Sequence, residues 1–299
     1  MEGEPLITRY AHLFGDLKKL ARAENHITEN NIYQPANTKI LKILDGMLEE
    51  NVLPGSKITG LENIEKFIEL VNSGKRGLIL MEHYSNFDLP GVNYLLRQTG
   101  NKACIELSEK IVAIAGMKLS EEDPMVSAWA EGYNRIIIYP SRSLAAVTDP
   151  IKRAAEEERS KKINFASMRA LDAARKRGQI ILVFPAGTRY RPGQPETKRG
   201  VREIDSYLRL SDVMILISSN GNCLRISEDN PKNMMMDKVC KDLCLMHAGP
   251  VIECKSFRND ILATLDDYEG DKKQVVVDKI MELLEEMHNE KEKERAKLI

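Results

Sequence analysis

Four short apolar runs constrain this chain more than any other feature: Gly77–Met81, Arg135–Tyr139, Ile180–Phe184 and Val213–Ile217. Each is five residues long, too short for a core helix, and most are bounded by glycine, proline or polar residues. A run that is apolar at nearly every position suits a strand buried on both faces, the texture of a parallel sheet. Between the runs, apolar residues recur at three- and four-residue spacing in Leu61–Asn72, in Asn164–Lys176 (closed by Gly178) and in Val201–Leu210. Strands interleaved with helices predict right-handed crossovers and an α/β fold with a mostly parallel central sheet covered by helices.

A different texture precedes this pattern. Over residues 5–50 the positions Leu6, Tyr10, Leu13, Leu17 and Leu20, and later Ile40, Leu41, Ile43, Leu44 and Met47, follow helical spacing, which Pro54-Gly55 interrupts. The expected organisation is a small N-terminal helical domain over 1–58 and an α/β domain over 59–299. The tail, Lys272–Lys297, reads as a charged amphipathic helix, and the charge-dense Lys152–Lys162 as a solvated one.

Three of the strands end in loops rich in chemistry. Met81 leads to Glu82-His83-Tyr84-Ser85-Asn86-Phe87-Asp88, Tyr139 to Pro140-Ser141-Arg142-Ser143, and Phe184 to Pro185-Ala186-Gly187-Thr188-Arg189-Tyr190-Arg191-Pro192. Ligands of open parallel sheets bind outside the carboxyl ends of the strands. The pattern therefore predicts one cleft holding a histidine, an aspartate and three arginines.

His83 and Asp88 are five positions apart, a spacing that diverges on a helix and can converge in a loop entering one. Pro90, suited to a first helical turn, supports the second geometry. An aspartate that orients an imidazole leaves the other ring nitrogen to take a proton from a hydroxyl. A simpler reading makes Asp88 only a helix N-cap. Arg142, Arg189 and Arg191 would bind a phosphate on the same alcohol through paired, charge-assisted hydrogen bonds.

Composition removes several alternatives. With a formal net charge of −1 the chain has no global basic field, so no nucleic-acid partner is expected and any anion site must be local. Its apolar runs fall far short of the roughly 20 residues of a membrane-spanning helix, and no signal peptide is evident. The expectation is a cytoplasmic protein that meets a lipid or its precursor from the aqueous side, with peripheral membrane contact allowed. The five cysteines form no Cys-x-x-Cys pair, so no metal is expected; no cofactor is expected either.

At this point the motifs resemble the glycerolipid acyltransferase family, whose four sequence blocks occur here in order. His83-Tyr-Ser-Asn-Phe-Asp88 resembles the His-x4-Asp block, and Arg135-Ile-Ile-Ile-Tyr-Pro-Ser-Arg142 the second block, which ends in a basic phosphate-binding residue. Phe184-Pro-Ala-Gly-Thr-Arg189 resembles the third, and Val213–Ile217 stands where an apolar fourth block is expected. The closest likeness is to the soluble glycerol-3-phosphate acyltransferase type of chloroplasts. It shares Arg189-Tyr190-Arg191-Pro192 and a long helical insertion corresponding to Ser143–Arg177, and it spans roughly residues 35 to 258.

The resemblance implies a glycerol-3-phosphate 1-O-acyltransferase. His83 would activate the sn-1 hydroxyl, which attacks an acyl thioester carried by acyl carrier protein or coenzyme A as co-substrate. Asp88 would orient His83, and Arg142, Arg189 and Arg191 would hold the phosphate. Amides near Gly187 and Thr188 would position substrate or oxyanion. The alternative acceptor is lysophosphatidate, used by 1-acylglycerol-3-phosphate acyltransferases, and a more distant reading makes Ser85 the nucleophile of a hydrolase. Three departures stand out: Glu82 replaces the usual Asn before the histidine, Ala186 the usual Glu of the third block, and Arg142-Ser143 a lysine-histidine pair.

Overall fold

The computed structural model describes residues 3–22, 24, 26–121 and 123–299. The chain is mixed α/β and divides into two compact units, one of residues 1–9, 47–110 and 182–299, the other of 10–46 and 111–181. The expected N-terminal stretch 1–58 is shared between them. It carries the helix Thr38–Asn51 and also the short strands Glu4–Pro5, Tyr33–Gln34 and Lys57–Thr59.

The strand Ile180–Val183, whose last two residues belong to the first unit, is followed in the sheet by that unit's Gly77–Met81, Val213–Asn220, Leu245–Ala248 and Lys57–Thr59. Gly77–Met81 runs parallel to Val213–Ile217 residue for residue, and every residue of both strands is buried, as uninterrupted apolar runs require. Val213–Asn220 extends three residues beyond its apolar run, as Ser218-Ser219-Asn220, to pair antiparallel with Leu245–Ala248. That strand is parallel in turn to Lys57–Thr59. Helices follow the periodicity closely: Leu61–Asn72 is a helix with Ile64, Phe67, Ile68 and Val71 buried, and the tail is the helix Lys272–Arg295 with Val276, Val277, Ile280 and Leu284 buried.

In the second unit Ile111–Gly116 is parallel to Arg135–Ile138, which pairs antiparallel with Tyr33–Gln34. The charge-dense segment belongs to one long helix, Pro150–Lys176, started by the Asp149 side chain on the Lys152 amide. Among the described residues no helix is long and apolar enough to cross a membrane.

Candidate active site

Where Gly77–Met81 ends, the chain turns through residues 82–87 into the helix Asp88–Gln98. Helical residues begin at Asp88, one position before the expected start, and Pro90 lies in the first turn. The Asp88 carboxylate does not cap its own helix. Its Oδ2 accepts from the amides of Tyr84 at 2.6 Å and Ser85 at 2.7 Å, and meets His83 Nδ1 at 2.9 Å. Only 3% of Asp88 is exposed. Backbone amides close the loop around the carboxylate, and His83 and Asp88 converge as a loop geometry allows.

The His83 ring lies flat on Phe184, with centroids 4.0 Å apart and planes inclined by 14°. The Tyr190 amide donates to the His83 carbonyl at 2.7 Å. Strand-end loops from Gly77–Met81 and Ile180–Val183 therefore meet at the imidazole. With Nδ1–H donating to Asp88, Nε2 keeps its lone pair and can accept a proton. A small pocket opens beside the ring, walled by Met81, Pro185, Ala186, Tyr190 and Met281. Ala186 thus contributes apolar surface to the pocket beside the imidazole.

The arginines fare differently. Arg189 is 5% exposed and forms an ion pair with Asp237, which Asn86 also approaches at 3.4 Å. Asp237 Oδ1 is buried without a hydrogen-bond partner. Burial pushes the Asp237 carboxyl up, and Arg189 counters that push. Arg191 is half-buried and donates to Thr188 Oγ1 at 3.1 Å. Burial holds its guanidinium below the usual range, the Arg189 charge lowers it further, and Asp237 offsets part of this. Asp237 pairs with Arg189 and only its field reaches Arg191, so two guanidiniums stand near one carboxylate and the loop keeps positive charge for an anion. Arg142 stands in the short helix Ser141–Ala145 of the second unit.

Gly187 adopts φ +63°, the left-handed conformation that favours glycine in this turn. Its amide donates to the Phe184 carbonyl at 2.9 Å, so it is not available to an oxyanion as expected. The Thr188 amide forms no hydrogen bond among the described residues, and it remains the candidate donor of this loop. Ser85 is 1% exposed; its hydroxyl donates to the Leu224 carbonyl at 2.8 Å and accepts from the Phe87 amide at 3.0 Å. A nucleophile needs neither of those bonds and must reach substrate, so Ser85 is structural.

No protein-family model matches the chain, and no curated protein matches it.

Sequence reasoning missed the partners of Glu82. Its Oε1 accepts from the Tyr84 hydroxyl at 2.9 Å, while Oε2 accepts from the Ser219 amide at 3.0 Å and meets His288 Nδ1 at 2.9 Å. Burial, with Glu82 and the other nearby carboxylates adding to it, pushes the Tyr84 phenol far up, so it stays a donor. The only signal was Glu82 itself, an acidic side chain at the end of a wholly apolar strand. Asp237 was missed as well, and it lies 48 positions from Arg189. No group of three or more His, Cys, Asp or Glu side chains among the described residues is placed to hold a metal ion.

Proposed function

We propose that the chain is a glycerol-3-phosphate 1-O-acyltransferase that moves a fatty acyl group from a carrier-protein or coenzyme A thioester to the sn-1 hydroxyl, the first step of phospholipid synthesis. One observation carries the reading: an imidazole fixed through Nδ1 on a buried carboxylate, with Nε2 free, beside a loop with more guanidinium than carboxylate.

In this mechanism His83 Nε2 removes the hydroxyl proton as the oxygen attacks the thioester carbonyl. The tetrahedral intermediate collapses, the C–S bond breaks, and the proton passes from His83 to the departing thiolate. Asp88 keeps the ring in the required tautomer and stabilises the imidazolium. Arg191 takes the phosphate directly. Arg189, fixed on Asp237, sets the loop and adds positive field. Phe184 backs the imidazole, and the pocket edged by Met81 and Met281 takes the first methylenes of the acyl chain.

The experiment supplies purified protein with glycerol-3-phosphate or lysophosphatidate, each with an acyl thioester. Transfer to glycerol-3-phosphate is expected; transfer only to lysophosphatidate would replace this acceptor with the lysolipid, and transfer to neither would end the reading. Arg191→Ala should raise the KM for the phosphorylated acceptor roughly ten- to hundredfold, the worth of a charged hydrogen bond, with a smaller change in kcat. An unchanged KM would remove Arg191 from the phosphate site.

A further inference from the structure

All five cysteines are free thiols, and two of them are in contact. Cys223 follows the strand Val213–Asn220, Cys244 precedes Leu245–Ala248, and their Sγ atoms lie 3.6 Å apart. Both are buried and both belong to the first unit. A disulfide needs the sulfurs at about 2.05 Å, so this pair has to close by about 1.5 Å. A third thiol, Cys240, is half-exposed, and its amide donates to the Cys223 carbonyl at 3.0 Å.

The thiols are also unequal. Their mutual hydrogen bond is the leading influence on each, drawing Cys223 below the usual thiol range and holding Cys244 well above it. One sulfur is thus the readier nucleophile and the other its proton-bearing neighbour.

The backbone connects this pair to the loop of His83. Leu224, the next residue after Cys223, accepts the Ser85 hydroxyl at 2.8 Å on its carbonyl, and the Ser85 amide donates to Asp88. Cys223 itself donates to the Asn51 carbonyl at 3.3 Å, a bond that oxidation must remove.

We propose that Cys223 and Cys244 are a redox modification site that closes to a disulfide on meeting a hydroperoxide and thereby loosens the His83–Asp88 loop. Cys223 takes the terminal peroxide oxygen and becomes a sulfenic acid, and hydrogen peroxide is reduced to water. The Cys244 sulfur then attacks the Cys223 sulfur; the S–O bond breaks, the S–S bond forms, and a second water leaves with the Cys244 proton. Two thiols lose two electrons in all, and the peroxide gains them.

The test uses the full chain, reduced and then treated with hydrogen peroxide, alkylated and digested without reductant. The expected product is a peptide pair joining Cys223 to Cys244, two hydrogens lighter than the sum of its parts and lost on adding dithiothreitol. Finding both residues alkylated, or paired elsewhere, would overturn the site. Wild-type mapping decides this even if a variant fails to fold; in Cys244→Ser, the Cys223 sulfenic acid should be trapped by dimedone. Hydrogen exchange reads the coupling: the Tyr84 and Ser85 amides should exchange at least several-fold faster after oxidation, and unchanged exchange would sink that half of the proposal. Neither readout needs acyl transfer, so failure of the proposed function would show separately, as a reduced protein with no activity.

Discussion

Two imidazoles in the first unit are held in the same way and differ in everything around them. His83 meets Asp88 and His288 meets Glu82, each through Nδ1 at 2.9 Å. Asp88 takes its other hydrogen bonds from amides four and three positions away, so its loop folds up by itself. Glu82 takes its bonds from Tyr84, from Ser219 137 positions away and from His288 206 positions away. His83 lies on Phe184 and edges a pocket, whereas His288 sits on the C-terminal helix against Tyr84, 5.1 Å between ring centroids. A histidine–carboxylate pair alone therefore identifies nothing. A pair closed by its own loop can present the free nitrogen to a ligand; one closed from across the unit fastens the helix Lys272–Arg295 to the sheet.

That contrast breaks first at Asp88. Asp88→Asn keeps the shape and loses the charge and the tautomer control, so kcat for acyl transfer should fall by about 10²–10⁴. A loss below about threefold would show that the local pair does not act as a base and its orienter. Glu82→Ala should act on stability instead. It leaves the buried Ser219 amide without its acceptor and strips the Tyr84 hydroxyl and His288 of theirs, costing about 3–5 kcal/mol in urea unfolding. Glu82→Gln, which keeps one acceptor oxygen, should cost less; equal losses would mean that the negative charge rather than the hydrogen bonds sustains the hub. Tyr84→Phe removes one of the three donors and should cost about 0.5–1.5 kcal/mol, with kcat nearly unchanged. A larger fall in kcat than in stability would place the phenol in the chemistry and blur the distinction between the pairs.

Much of this architecture was legible because it is local. The apolar run Gly77–Met81 is a buried strand, Leu61–Asn72 is the expected helix, and the five-residue offset from His83 to Asp88 closes as a loop. The strand Ile111–Gly116 escaped because alanines and a glycine dilute its apolar signal directly after a helix, and Leu245–Ala248 because Leu-Met-His-Ala lacks β-branched residues. The N-terminal segment read as one helical block since periodicity reports a helix's face and not its neighbours; Tyr10–Gly46 and Met47 onward group with different units. Long-range partners left no mark at all. Asp237 closes on Arg189 from a methionine-rich turn, and no spacing rule connects them.

The most direct measurement compares His83→Ala with His288→Ala, recording kcat for acyl transfer to glycerol-3-phosphate and the unfolding free energy of each. His83→Ala should remain folded, within about 2 kcal/mol of the parent, and lose about 10²–10⁴ in kcat. His288→Ala should keep kcat within a few-fold and lose about 1–3 kcal/mol of stability as Glu82 loses a donor. Equal loss of activity in both variants, or full activity without His83, would contradict the assignment of the catalytic base to His83 alone.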